Sequence, residues 1–300
     1  MIGGTLAGGK VAGAPISWGV CEVPGWGHQV DPNRVLAEMA SLGLTATELG
    51  PDGFLPAKPA ALRRLLARYR LRLVAGFVPV VLHVPHTWER ERSRFEQRCA
   101  TLAAGGAEVA VLAAATGSAG YDTNTAELDD TAWGHLTAAI EQTAVLAGRY
   151  GLATALHPHY GTVIESSAHI ARLLATSPVD LCLDTGHVVV GGGDPVDIAA
   201  AATGRISHVH LKDVDAAVAA RVRTGELTYR QAVIEGMYRP LGAGDLDLAA
   251  ILTTLDHAGF DGWIVLEQDT VLPAEPEVAA GPIADARTSM DFLQQAMEAA

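Results

Sequence analysis

The sequence predicts a single (β/α)8 barrel over residues 1–300, and three observations carry that reading. Short apolar runs alternate with longer amphipathic ones eight times along the chain. The runs are continuously apolar, as expected of parallel strands covered on both faces. Ionisable residues then collect where the later runs end, which is where a barrel of this kind keeps its functional groups. A length of 300 residues suits one such barrel, which needs about 250.

The elements follow in order. "APISWGV" (14–20) reads as the first strand, and Asp31-Pro32 caps and opens a helix over 32–41 that stops at Gly43. "TATELG" (45–50) is the second strand, with Glu48 near its end. Leu62, Leu65, Leu66 and Tyr69 mark a helix over 59–70. Strand three is "LRLVAGFVPV" (71–80), followed by a helix over 90–104; strand four is "AEVAVLAAA" (107–115), followed by a helix over 131–150. Strand five is "LATALHPH" (152–159), with a helix over 166–175. Strand six is "VDLCLD" (179–184); it runs through "TGHVVVGGG", read as a glycine-rich loop, to a helix over 195–202. Strand seven is "ISHVHLKD" (206–213), and a helix over 246–258 is expected to be capped by Asp245 and closed by Gly259. Strand eight is "GWIVLE" (262–267), before a last helix over 285–298. A doubly wound open sheet would usually show a GxGxxG turn after its first strand; "SWGVCEVPGWG" has none.

The ends of strands five to eight concentrate chemistry: His157, His159 and Glu165; Asp184 and His187; His208, His210, Lys212 and Asp213; Glu267 and Asp269. Each alone has a plain structural role, such as a turn cap for Asp184 or a hydrogen-bonded core position for His208. Lys212 could be structural too, paired with Asp213 or Glu48. Together they would crowd one end of a narrow cavity, and burying so much charge is costly unless a divalent cation neutralises it. Imidazole and carboxylate donors suit Mn²⁺, Co²⁺, Fe²⁺ or Zn²⁺ better than Ca²⁺ or Mg²⁺.

"LDTGH", "HVHLKD", "RPLGAGDLDL" and "GWIVLEQD", in this order, resemble the xylose-isomerase-like TIM barrels of the sugar isomerase and epimerase superfamily. "APISWGVCEVPGWG", "TATELGPDGFLP" and "LHPHYGTVIES" resemble its inosose dehydratase branch. The resemblance implies one divalent metal, Mn²⁺ or Co²⁺ before Zn²⁺ or Fe²⁺, bound by ligands from strands five to eight. Asp184, His210 and Glu267 match the last three positions. The first is usually a glutamate; here it is His157, with His159 or Glu165 as substitutes. The implied reaction removes water from a keto-polyol such as 2-keto-myo-inositol, beginning with loss of the hydrogen α to the carbonyl. Glu165 is the expected base, with Lys212 and His187 assisting. Trp18, Glu48, His159 and Arg239 are expected to hold the substrate.

The alternative is a metal-dependent isomerase or epimerase of a free keto-sugar. A third reading, an endonuclease for abasic DNA using three zinc ions, would draw on His83, His86 and His187. Against it stands a formal net charge of −13, which disfavours nucleic-acid partners. Cys21, Cys99 and Cys182 lack CxxC spacing, so neither thiolate zinc nor a disulfide framework is expected. The start "MIGGTLAGGK" lacks a signal peptide's basic and apolar regions, and no run suggests a membrane span. A cytoplasmic enzyme is expected, with homo-oligomerisation left open.

Overall fold

In a computed structural model, described here for residues 10–118, 120–122 and 127–298, eight parallel strands close into a barrel. They are β1 (Lys10–Gly13), β2 (Ala46–Glu48), β3 (Arg72–Val80), β4 (Val109–Ala114), β5 (Ala153–Leu156), β6 (Asp180–Asp184), β7 (Ile206–Leu211) and β8 (Trp263–Leu266). Neighbours around the barrel are neighbours in sequence, and β8 closes on β1 with Lys10 opposite Trp263 and Gly13 opposite Leu266.

The alternation of side chains along a strand sorts two cores. Leu181, Leu183, Val209, Leu211, Ile264 and Leu266 face outward and pack with the surrounding helices in the main apolar cluster. Ala46, Ala155, Cys182, Trp263 and Val265 face inward and fill the barrel with mostly small groups. Two residues further on, the same inward faces carry Glu48, His157, Asp184 and Glu267, while His208 and His210 share the inward face of β7. The period of two that buries the inner core therefore brings the polar residues to one end.

Most predicted helices form, and their starts have chemical causes. Asp31 accepts from Asn33 N at 2.8 Å ahead of Pro32–Ser41, Asp129 from Ala132 N at 2.8 Å ahead of Asp130–Gly148, and Asp194 from Val196 N at 2.8 Å ahead of Pro195–Ala201. Ser166 forms a capping box ahead of Ser167–Thr176.

Four expectations are corrected. The first strand is Lys10–Gly13; "APISWGV" begins instead with Ala14 leading into the short 3-10 helix Pro15–Trp18, closed by Gly19 at φ 78°. Pro15 has no N–H for a strand ladder but suits a helical first position. Thr185–Val190 is a helix and not a loop, because Asp184 caps it by accepting from His187 N at 2.8 Å. The helix after strand seven is Leu248–His257, capped by Asp247; Asp245 instead accepts from Ala216 N at 2.9 Å. Between strands seven and eight the chain adds a hairpin of Asp213–Val214 with Tyr238–Arg239, enclosing helices Ala216–Arg223 and Tyr229–Ile234. The last helix starts earlier than expected, at Pro282. Among the described residues no helix is long and apolar enough to cross a membrane.

Candidate metal centre and active site

A cavity of about 1340 Å³ opens at the carboxyl end of the barrel, with Glu48, His157, His159, His210, Glu267 and Asp269 in its lining. Phe77 and Tyr121 add aromatic surface, and the Tyr121 ring lies 4.4 Å from that of His159.

Asp184 is the hub. Its Oδ2 lies 3.1 Å from His157 Nε2, 3.5 Å from His210 Nδ1 and 2.5 Å from Lys212 Nζ. His210 Nδ1 is also 3.2 Å from Glu267 Oε2, and Lys212 donates to Glu267 Oε1. Asp184, His210 and Glu267 form one possible ligand triad, and His157, Asp184 and His187 another that shares Asp184. Donors around one first-row ion, at bonds of about 2.1 Å, stand about 3.0–3.4 Å from one another. The distances of 3.1, 3.2 and 3.5 Å above fit that packing. His210 Nδ1 is buried and has no hydrogen-bond partner, although it faces two carboxylates. An orphaned imidazole nitrogen so placed is what a missing cation leaves behind. The donor set fits a divalent metal.

At His210 burial is outweighed by the facing Glu267, Glu48 and Asp184, which hold it well above its usual value; at the other imidazoles burial wins. Burial pushes His157 down to about 4 and holds His159 and His187 well below the usual range, so all three are neutral ligands or bases at neutral pH. Burial likewise raises Glu267 to about 7, against the pull of His210 and Lys212. For Lys212 burial works against the charge, but Asp184, Glu267 and Asp269 outweigh it and keep the ammonium well above its ordinary value.

The sequence-predicted residues separate clearly. His157, Asp184, His210, Glu267 and Lys212 meet in one cluster, and His159 flanks it with ring centroids 5.4 Å from His157. Lys212 pairs with Asp184 and Glu267, and lies 3.5 Å from Asp269 Oδ1, not with Asp213 or Glu48. Asp213 accepts from Gly242 N and Gly244 N, both at 2.9 Å, and shapes that loop. A Cβ on Gly244 would lie 2.3 Å from Asp213 Oδ1, so the approach requires glycine.

Trp18 and Arg239 need correction as substrate contacts, and Glu165 and His187 stand outside the cavity lining, as Asp184 and Lys212 do. Trp18 lies in the main core, its indole donating to Glu38 Oε2 at 2.7 Å, because the 3-10 helix turns it outward. Arg239 sits on the added hairpin and donates to Asp215 at 3.1 Å. Glu165 Oε2 accepts from Gly161 N at 2.8 Å. His187 lies behind His159, with ring centroids 3.6 Å apart. Glu48 is in the lining, but its Oε1 is held by His208 Nε2 at 2.9 Å and His210 Nε2 at 3.1 Å. His208 thus has the hydrogen bond expected of a barrel-layer residue. His83 and His86 join no triad of possible ligands among the described residues.

Asp269, noted at the end of strand eight without a role, gains one here, and Tyr229 and Tyr238 were not anticipated. Asp269, which shares the face of Glu267 by i, i+2 spacing, accepts from Tyr229 Oη at 2.7 Å. Tyr229 Oη lies 2.9 Å from Tyr238 Oη, and both tyrosines come from the added segment.

A family model described as the xylose isomerase-like TIM barrel matches residues 36–296. The chain belongs to the xylose isomerase-like TIM barrel family. Within that family, an inosose dehydratase of Geobacillus kaustophilus (strain HTA426) is 32% identical over 296 residues, covering 95% of this chain and 94% of that protein. Among solved structures, an L-ribulose 3-epimerase shares the fold at TM-score 0.71 and 16% identity, covering 97% of this chain and 95% of that one. An IolI protein with a zinc atom does so at TM-score 0.71 and 15% identity, covering 97% and 98%. The chain is an enzyme similar to the inosose dehydratases, which are hydro-lyases.

Proposed function

We propose that this enzyme is a divalent-metal-dependent hydro-lyase that dehydrates a keto-polyol such as 2-keto-myo-inositol. The observation that carries the reading is the set of His157, Asp184, His210 and Glu267 beside a neutral imidazole, His159, whose tautomer is fixed. His159 Nδ1 lies 2.6 Å from the Tyr160 carbonyl, so it carries the proton and leaves the Nε2 lone pair as acceptor. Held by the four ligands, Mn²⁺ or Co²⁺ would polarise the substrate carbonyl and stabilise charge developing on its oxygen.

The chain's own groups supply the rest. His159 takes the hydrogen α to the carbonyl, and the imidazolium so formed returns a proton to the β-hydroxyl as it leaves as water. One residue thus serves as base and then acid, in the place first given to Glu165. Lys212 compensates the ligand carboxylates Asp184 and Glu267, and Phe77 with Tyr121 offers apolar faces to the C–H side of a polyol ring. Asp269, fixed by Tyr229, is available to accept from a substrate hydroxyl.

A second reading has one observation in its favour. Glu267 lines the cavity with its carboxyl raised to about 7 by burial, and would give a keto-sugar epimerase its second proton acceptor. Incubating Mn²⁺- or Co²⁺-loaded enzyme with inososes and keto-sugars and weighing the products separates the two. A product lighter by one water supports the hydro-lyase; a product of unchanged mass supports the epimerase.

A further inference from the structure

We infer that Glu48 is a positioning residue for the metal centre: from the far side of the barrel it holds His210 in the tautomer that presents Nδ1 to the ion. The inference rests on the metal-dependent reading above.

Glu48 stands on β2, separated from β7 in the barrel wall by β1 and β8. It reaches His210 through the interior, not through a neighbouring strand. Its Oε1 lies 3.1 Å from His210 Nε2 and 2.9 Å from His208 Nε2. A carboxylate oxygen between two imidazole nitrogens accepts from both, so each Nε2 carries the proton. Nδ1, the buried nitrogen that faces Asp184 and Glu267, is then the one left for the ion, which displaces the proton those carboxylates favour there. A carboxylate behind a histidine ligand fixes its ring and raises its basicity.

The period of two along β2 brings Glu48 to this contact. The β2–β3 register shifts between Thr47 and Glu48, pairing Thr47 with Leu73 and Glu48 with Ala75. The extra residue, Val74, lies on β3, so β2 keeps its alternation and Glu48 shares the inward face of Ala46. Glu48 is 4% exposed, and burial alone would make its charge costly. The two imidazole donors answer that cost, and His208 helps to keep the carboxylate where His210 needs it.

Metal-free full-length protein, wild type and the Glu48→Gln and Glu48→Leu variants, is titrated with Co²⁺ and followed by its visible absorption. The ¹⁵N shifts of His210 in the same proteins loaded with diamagnetic Zn²⁺ report which nitrogen is protonated, and circular dichroism confirms that each variant is folded. Wild type is expected to carry the proton on Nε2. Glu48→Gln keeps an acceptor without charge and should weaken Co²⁺ about tenfold; Glu48→Leu should weaken it about 100-fold and mix the tautomers. An Nδ1-protonated His210 in wild type, or Co²⁺ affinity within about twofold of wild type in both variants, overturns the inference. Co²⁺ bound instead at Glu48, His208 and His210 does the same, as does a wild type that takes up no Co²⁺. Should wild type bind Co²⁺ with this tautomer yet dehydrate no inosose, the proposed reaction falls and the role of Glu48 stands.

Discussion

Replacing Lys212 with methionine keeps most of the side chain's volume and removes one buried charge. The ammonium is fully buried, lies 2.5 Å from Asp184 Oδ2, touches Glu267 and stands 3.5 Å from Asp269 Oδ1. Removing one partner of a buried ionic cluster costs about 3–5 kcal/mol, because the remaining charges are left uncompensated. Urea unfolding of metal-free Lys212→Met should therefore show a loss of about 3–5 kcal/mol at a pH near 8. The pH dependence has a definite sign. Burial already raises the folded-state Glu267 carboxyl from 4.5 to about 7, so its contribution is full below about 4.5 and is lost as pH rises through about 7. Taking away Lys212 removes an influence that lowers this value, so the folded carboxyl holds its proton to higher pH and the penalty grows with pH. Near pH 6 the loss should be smaller by at least about 1 kcal/mol. Co²⁺ should restore much of the stability, since the cation takes over the compensating charge. A loss under about 1 kcal/mol near pH 8, or a larger loss near pH 6, would refute the reasoning.

Other outcomes follow from the same contacts. His159→Gln should lower kcat by about 100-fold or more while metal content, measured by plasma emission, stays at the wild-type level. Trp18→Phe should leave turnover within a few-fold and cost about 1 kcal/mol in unfolding, for the lost bond to Glu38; a collapse of turnover would return Trp18 to the substrate site. Asp213→Ala should cost about 3 kcal/mol in the same unfolding assay, since Gly242 N and Gly244 N lose their shared acceptor, and a neutral result would deny the loop its anchor.

What the sequence made legible follows from what local chemistry encodes. Strands such as Asp180–Asp184 stood out because both faces are buried, and helix starts such as Pro32 because Asp31 caps them from two residues away. The first strand was misplaced because "APISWGV" is apolar enough for a strand, although Pro15 already argued for a helical start. The helix Thr185–Val190 was hidden by the glycines that follow it, although Asp184 had been weighed as a turn cap. The strand-five to strand-eight ligands could be listed because they follow the strand period. Their partnerships could not. Lys212 meets Glu267 across 55 positions and Glu48 meets His210 across 162, distances that only barrel closure removes. Nor does any pattern announce that Tyr229 and Tyr238, from the added segment, would meet at Asp269.

The central claim is one divalent ion at the carboxyl end of the barrel, and anomalous diffraction from Co²⁺-loaded crystals tests it most directly. The account predicts a single strong peak about 2.1 Å from His157 Nε2, Asp184 Oδ2, His210 Nδ1 and Glu267 Oε2. A map with no peak among these atoms, or with the cobalt held elsewhere on the chain, would contradict it.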